Sequence, residues 1–174
     1  MTPQEEQVAL VDEHGTVVGS AARSVVRRDN LRHAATAVLV RDPAGRIYLH
    51  QRTDAKDWAP GHWDVAAGGV IRAGEEPEAS ARRELAEELG ITVPALVALG
   101  THLYEDDTVR CFEHAYEVVW EGPIRHQPEE VADGRWVTPD ELEAILADPA
   151  VPFVPDTAHL LGRLAAEHPR TTPG

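Results

Sequence analysis

The stretch that decides the fold is GGVIRAGEEPEASARRELAEELGI, residues 68–91. Gly68 and Gly69 follow a short apolar run, where small residues let the backbone turn sharply or approach a ligand closely. Pro77 stands where the first turn of a helix accepts proline, because an N–H is not needed there, and Gly90 is a typical helix stop. The stretch therefore predicts a glycine loop followed by a helix that begins at Pro77.

Three carboxylates of this predicted helix share one face. A step of about 100° per residue puts Glu84, Glu87 and Glu88 within an arc of about 100°. A glutamate-rich helix is usually a solvated surface, and Glu88 is expected to be exposed when no metal is bound. Yet like charges four residues apart cost about 0.2–0.5 kcal/mol, and the helix C-terminus also disfavours anions. A hard divalent cation, Mg²⁺ or Mn²⁺, would relieve both penalties.

Apolar runs and turn signals elsewhere predict a sheet around this helix. The apolar residues next to the glutamate face, Ala81, Leu85 and Leu89, are expected to pack on that sheet. The predicted strands span residues 33–40, 47–51, 63–66, 95–103, 109–120 and 134–137, and two further helices begin near Pro139 and Pro155. Strands that precede and follow one strong helix favour an α/β or α+β sandwich over a helical bundle.

The central stretch also resembles a known signature. Gly69, Glu75 and the run RELAEELGI over residues 83–91, with five and seven residues between them, resemble the complete Nudix box of the Nudix hydrolases. Arg135-Trp136-Val137 before a capped helix is similar to the distal half of these proteins. The resemblance covers about residues 33–164 and implies the Nudix fold, α/β (α+β), with a mixed β-sheet sandwiched between helices.

The resemblance also implies a site and a reaction. The reaction is hydrolysis of a diphosphate linkage, in a nucleoside diphosphate joined to another moiety or a related organic diphosphate, with Mg²⁺ as cofactor and Mn²⁺ as a substitute. Arg83 would orient the carboxylates with Glu75 as its partner, and Glu87 would be a ligand or the general base. The implied metal site is Gly68, Gly69, Glu84, Glu87 and Glu88, and the implied catalytic residues are Arg83, Glu84, Glu87 and Glu88.

Two arginines flank the box. Arg52 and Arg72 could bind substrate phosphate, although solvated arginines explain them equally well. The residues of the box would contact only the diphosphate and the metal, so they do not identify the rest of the substrate. The sequence also leaves the general base and the oligomeric state open. A catalytically silent nucleotide-binding sensor is a further alternative, but such modules usually lose box glutamates and this chain keeps them all.

The first 32 residues precede the box-bearing part of the chain. Two β-prone runs around His14-Gly15 predict a hairpin over residues 8–22, followed by a basic connector. We therefore divide the chain into an N-terminal β-hairpin extension packed on the core, residues 1–32, a Nudix hydrolase domain, 33–168, and a disordered tail, 169–174.

A second resemblance concerns isopentenyl-diphosphate isomerase, a Nudix relative that is not a hydrolase. The N-terminal hairpin, the segment LRHA at residues 31–34 and Trp63 are similar to that enzyme. The isomerase needs a cysteine and a metal-binding histidine after its tryptophan, and by spacing those positions are Gly68 and Val70. The catalytic thiol is therefore missing, and the isomerase is the less favoured alternative.

The resemblance to the isomerase also raises a possible second metal site at His33 and Glu113. Strand alternation puts each of these residues on a face of small side chains, where an ion has room. We prefer the ordinary alternatives, an edge histidine with a local partner and a solvated strand carboxylate.

Composition excludes several partners. Thirty acidic residues against sixteen basic ones, a net charge of -14, disfavour nucleic acid and anionic membranes as partners of this 174-residue chain. Its one cysteine, Cys111, excludes an internal disulfide. With no secretory signal at its start and no apolar run of about 20 residues, the chain is expected in the cytoplasm, acting on a small-molecule diphosphate.

Overall fold

The structure, a computed structural model, describes residues 1–168. The tail predicted over 169–174 lies outside the described residues. A 3-10 turn at Pro3–Glu5 precedes the regular elements. These are β1 (Gln7–Val11), β2 (Val17–Ala22), α1 (Arg23–Arg28), β3 (His33–Arg41), β4 (Ile47–Arg52), β5 (Trp63–Asp64), β6 (Ala66–Ala67), α2 (Pro77–Leu89), β7 (Val97–Glu105), β8 (Arg110–Val119), β9 (Val131–Val137), α3 (Pro139–Ala147) and α4 (Pro155–Glu167).

One mixed sheet is the centre of the fold. β3 and β8 run parallel in unbroken register, from His33 opposite Cys111 to Arg41 opposite Val119. The other strand pairs are antiparallel: β1 with β2 and β3, β4 with β3, β5 and β9, β3 with β6, and β7 with β8. The predicted mixed sheet is therefore confirmed.

Helices cover both faces of this sheet because successive side chains of a strand point to opposite sides. On one face the α2 residues Ala81, Leu85 and Leu89 pack with Val38 and Tyr116. On the other face the neighbouring strand residues pack against α3 and α4, in a cluster of Ala37, Leu39, Ala115, Leu142 and Leu160. The sandwich of helices around a sheet is confirmed, and the glutamate face of α2 is left free of the core.

The N-terminal hairpin extends the same sheet. β1 joins β3 where Leu10 lies opposite His33. The hairpin also contacts the loop before α2, since the N–H of Ala73 donates to the carbonyl of Gln7 at 2.8 Å. The predicted hairpin is thus confirmed, whereas the domain boundary at residue 32 stays a prediction. The hairpin brings the start of the chain beside the loop that opens the box.

Two predicted strands, 63–66 and 134–137, differ from the structure, the first for a local reason and the second because of tertiary pairing. The run 63–66 is interrupted, because the side chain of Asp64 accepts a hydrogen bond from the N–H of Ala66 at 2.9 Å and so competes with strand pairing. β9 begins at Val131 and not at Gly134, because pairing with β4 overrides the poor strand propensity of Asp133 and Gly134. Among residues 1–168, no helix has both the length and the apolar content needed to cross a membrane.

Candidate active site

The glycine loop is pressed between β3 and α2. A Cβ at Gly68 would clash with the carbonyl oxygen of Thr36, and one at Gly69 would lie 3.0 Å from the carboxyl group of Glu84. The N–H of Thr36 donates to the carbonyl of Gly69 at 2.9 Å, which fixes the loop on the strand. Only glycine fits at Gly68, and the backbone of Gly69 reaches the carboxylate of Glu84.

The guanidinium of Arg83 donates hydrogen bonds to the carboxylates of three glutamates. Its Nε and Nη2 donate to the two carboxylate oxygens of Glu75 at 2.8 and 3.0 Å, a bidentate pair. Its Nη1 donates to Glu84 at 2.6 Å and to Glu87 at 3.3 Å. The structure therefore brings together the arginine, its expected partner Glu75 and two of the three glutamates of the box.

Glu88 is buried, so the expectation that it is exposed is wrong. Only 4% of the residue is exposed, because the segment 125–130 covers the end of α2, with the N–H of Gln127 donating to the carbonyl of Glu88 at 3.0 Å. Burial, and then the charge of Glu84, raises the pKa of Glu88 to about 8. Burial also raises the pKa of Glu84, although Arg83 opposes that change. Burial therefore outweighs the nearby positive charge at both carboxyl groups.

The donor set fits a hard divalent cation. Glu84, Glu87, Glu88 and the carbonyl of Gly68 offer only oxygen, which suits Mg²⁺ better than a soft ion. The carboxylate oxygens of the three glutamates do not yet lie close enough together to bind one ion. Within the described part of the chain, the one group of three His, Cys, Asp or Glu donor atoms within 4.8 Å of one another lies elsewhere. Glu84 and Glu87 both accept hydrogen bonds from Arg83, so an ion bound by either carboxylate would share it with that arginine.

A cleft of about 560 Å³ opens in front of these residues. This size is typical of a small-molecule site. The loop and α2 contribute Gly68, Gly69, Arg83, Glu84 and Glu87, and more distant segments contribute Glu6, Arg23, Lys56, Arg72, Gln127 and Glu130. The cleft thus combines the carboxylates with three further cationic side chains.

The two arginines predicted to bind phosphate take different places. Arg72 lines the cleft, where the Nε of its guanidinium pairs with the carboxylate of Glu6. Its backbone N–H donates to the carboxylate of Glu75 at 3.1 Å. Arg52 lies beside a smaller cavity, and its guanidinium donates to the carbonyls of Trp58 at 2.8 Å and Ala59 at 3.1 Å. Arg52 therefore holds the loop 53–62 in shape.

Lys56 and Glu130 were missed by the sequence analysis. Lys56 pairs with Glu130, 74 residues later, and its side chain is only 11% exposed. Its charge favours ionisation of both Glu84 and Glu88, which lowers their pKa values against the effect of burial. One signal was available: Lys56 is the only lysine in the chain, against fifteen arginines. Nothing in the local pattern, however, indicated its partner.

The predicted second metal site at His33 and Glu113 stays a prediction, and the structure gives the two residues different neighbours. The Nδ1 of His33 donates to the carbonyl of Leu31 at 2.9 Å, and burial lowers the pKa of this buried histidine to about 4. Glu113 is 3% exposed, so the expectation of a solvated carboxylate is wrong, and it lies with Cys111 and Asp156, whose donor atoms and its own are within 4.8 Å of one another. Strand alternation placed Glu113 correctly on the face of Cys111 but gave no sign of Asp156.

Comparisons with known proteins agree with this geometry. A family model described as "NUDIX domain" matches residues 31–158. The chain is 44% identical over 171 residues to a protein of Rhodococcus erythropolis named uncharacterized Nudix hydrolase orf19, with 92% of each chain covered. It is 38% identical to the Nudix hydrolase YfcD of Escherichia coli K12, also named uncharacterized, over 90% of this chain and 84% of the relative.

Solved structures give the same result for the fold. DR0079 of Deinococcus radiodurans superposes with a TM-score of 0.76 and 28% identity, covering 91% of this chain and 99% of that one. A MutT protein of Methanosarcina mazei Go1 superposes with a TM-score of 0.66 and 21% identity, covering 80% and 96%. The second likeness, at this identity, concerns the fold alone.

Proposed function

The chain belongs to the NUDIX family, and on that premise we propose that it uses Mg²⁺ to hydrolyse the diphosphate linkage of a nucleoside diphosphate derivative or a related organic diphosphate. That the chain is a Nudix pyrophosphohydrolase follows from the family match and from relatives named Nudix hydrolases. The observation that carries the proposal is the convergence of Gly69, Arg83 and Glu84 at the mouth of a cleft of about 560 Å³. We place the reaction in the cytoplasm, where the free Cys111 stays reduced.

Each residue of the site has a proposed task. Glu84, Glu88 and the carbonyl of Gly68 hold the metal, and Arg83 fixes the direction of Glu84. Bound there, Mg²⁺ would neutralise phosphate oxygens and lower the pKa of a coordinated water. We assign the general base to Glu87, because 46% of its side chain is exposed to the cleft and it can accept a proton from the attacking water.

Cationic side chains bring the substrate to this site. The chain as a whole carries a net charge of -14 and repels a diphosphate, so local positive charge must reverse the field in the cleft. Arg72 and Lys56 line the cleft and are the proposed phosphate ligands, with Arg23 beside them. Arg52 contributes indirectly, because it holds the loop that carries Lys56.

The structure favours neither alternative function. An isomerase of the isopentenyl type would need its thiol at Gly68, where any Cβ clashes with the backbone of Thr36. Cys111 does not take the place of that thiol, because it is 1% exposed and does not line the cleft beside α2. A silent sensor would not need the intact glutamate face of α2.

A substrate panel tests the proposal. The protein is incubated with saturating Mg²⁺ and, separately, with nucleoside triphosphates, dinucleotides, nucleotide sugars, isopentenyl diphosphate and ADP-ribose. ADP-ribose is included because a NUDIX domain of Shewanella oneidensis NrtR, similar in fold with a TM-score of 0.58, was solved with it. We expect Mg²⁺-dependent cleavage of at least one compound between two phosphorus atoms, identified by mass spectrometry. Binding without turnover would indicate a sensor, and allylic rearrangement without cleavage would indicate an isomerase.

A further inference from the structure

A second group of acidic side chains lies on the face of the sheet that α4 covers. Cys111 and Glu113 project from β8 on the same face as Ala115, which packs against α4, and Asp156 lies in the first turn of that helix. The donor atoms of Cys111, Glu113 and Asp156 are all within 4.8 Å of one another. The three residues are 1%, 3% and 8% exposed, so this group is separate from the exposed mouth of the cleft.

Two buried groups beside this cluster lack hydrogen-bond partners. Oε1 of Glu113 has none, and neither ring nitrogen of His102 has one. His102 lies opposite Glu113 across β7 and β8, and its Nε2 is 3.3 Å from that same Oε1. A buried polar atom without a partner costs about 1–3 kcal/mol. Glu113 is therefore a buried member of the cluster whose carboxyl group has a hydrogen-bonding deficit, and an ion bound at the cluster would offset that cost.

A bound cation would change the ionisation of the cluster. Burial raises the pKa of Glu113 and of Cys111 well above their usual ranges, and it raises the pKa of Asp156 to about 7. The negative charge of Asp156 raises the pKa values of Cys111 and Glu113 further. A divalent ion at the cluster would stabilise the ionised forms of all three side chains.

A cavity gives access to the cluster. It has a volume of about 60 Å³ and is lined by Glu113 and Asp156, and by Gly68 and Gly69, which also line the larger cleft. Since about 10–15 Å³ of such space is enough for one water, the cavity has room for water beside an ion. An ion can therefore reach the cluster from the side of the active site. One of its coordination positions would stay accessible to water in the cavity.

From this geometry we infer that Cys111, Glu113 and Asp156 bind a divalent transition-metal ion of the Zn²⁺ type, with His102 positioning Glu113. A thiolate beside two carboxylates selects Zn²⁺ or Co²⁺ over Mg²⁺ and Ca²⁺. Bonds of about 2.3 Å to sulfur and about 2.1 Å to oxygen separate tetrahedral donors by about 3.4–3.6 Å, so distances within the cluster shorten by about 1.4 Å at most. His33 takes no part. The inference does not depend on the proposed function.

Cobalt binding tests the inference, because a thiolate bonded to Co²⁺ absorbs in the near ultraviolet and Cys111 is the only cysteine in the chain. Metal-free protein is titrated with Co²⁺, and separately with Zn²⁺, in excess Mg²⁺ that fills the α2 site. We expect one ion per chain and a thiolate absorption band. The band should disappear in Cys111→Ser, while Asp156→Asn and His102→Gln should weaken binding by about tenfold or more.

Glu88→Gln is the matched control, because it alters the α2 site and should leave the band and the stoichiometry unchanged. Absence of the band in the parent protein would contradict the inference and would favour a proton shared between Glu113 and Asp156. Zn²⁺ uptake that is equal in the parent, Cys111→Ser and Asp156→Asn would also contradict it, since the ion would then lie on surface histidines. Failure of the parent protein to hydrolyse any diphosphate, with its band intact, would contradict only the proposed function.

Discussion

Replacing Glu88 by glutamine is expected to reduce kcat by about a hundredfold or more, because the metal ion loses a carboxylate ligand. The ion is then no longer held firmly where it neutralises the reacting phosphate. The same change should stabilise the metal-free protein at neutral pH. Glutamine keeps the size of the side chain but cannot carry the charge that burial disfavours at this position, which is 4% exposed. Both effects are measured on one variant, kcat with saturating Mg²⁺ and the melting temperature with EDTA.

The stability effect has a defined dependence on pH. Burial raises the pKa of Glu88 to about 8, from a usual value of 4.5. Below pH 4.5 the group is protonated in both the folded and unfolded states and contributes nothing. Between pH 4.5 and 8 only the unfolded state loses the proton, so the parent protein loses stability as the pH rises, and above pH 8 the loss is complete. The difference at pH 7 is of the order of 3 kcal/mol in favour of the variant.

Glu78→Gln is the matched control for this prediction. Glu78 lies on the same helix, is exposed, and accepts a hydrogen bond from the N–H of Leu96 at 3.1 Å, which glutamine can still accept. Its kcat and its stability profile should stay close to those of the parent. A kcat of Glu88→Gln within a few-fold of the parent would remove Glu88 from the metal site.

Replacing Arg83 by lysine is expected to lower kcat by about 10- to 100-fold, through loss of geometry and not of charge. The guanidinium holds Glu75 with two hydrogen bonds and reaches Glu84 and Glu87 with a third nitrogen. A lysine ammonium cannot reproduce this planar fork, so Glu84 would lose its fixed direction. The affinity for Mg²⁺, measured by calorimetry without substrate, should fall together with kcat.

The neighbouring Arg82 provides the control. Arg82 is exposed, and its Nη1 donates to the carbonyl of Pro94 at 2.6 Å, outside the cleft. Arg82→Lys should leave kcat and Mg²⁺ affinity within about a factor of two of the parent, as is usual for a surface change. Equal losses in Arg82→Lys and Arg83→Lys would mean that the helix, and not the fork, had been damaged.

The box helix was predictable because its signals are local. Pro77 opens α2 and Gly90 ends it in the left-handed conformation, at φ 67°. The mixed sheet followed from apolar runs and turns of the same kind. The burial of Glu88 was not predictable, because the segment that covers it, 125–130, is about forty residues away in sequence and carries no periodic pattern.

The same reason explains what was missed around the site. Lys56 and Glu130 meet across 74 residues, through two loops whose conformations depend on tertiary contacts. Asp156 reaches Glu113 only because α4 packs across the sheet, whereas strand alternation can describe only the face on which Glu113 lies. Residue spacing thus located the chemistry of the box and left the partners supplied by distant segments to the three-dimensional structure.

Hydrolysis in ¹⁸O-labelled water tests the central claim most directly. The compound cleaved in the substrate panel is incubated with Mg²⁺ in labelled water, and the phosphate-containing products are analysed by mass spectrometry. We predict that one labelled oxygen enters one of the two products, at a rate that falls with EDTA and with Glu88→Gln. Products without label, labelling that persists at the parental rate in Glu88→Gln, or a panel in which no diphosphate is cleaved would contradict the account.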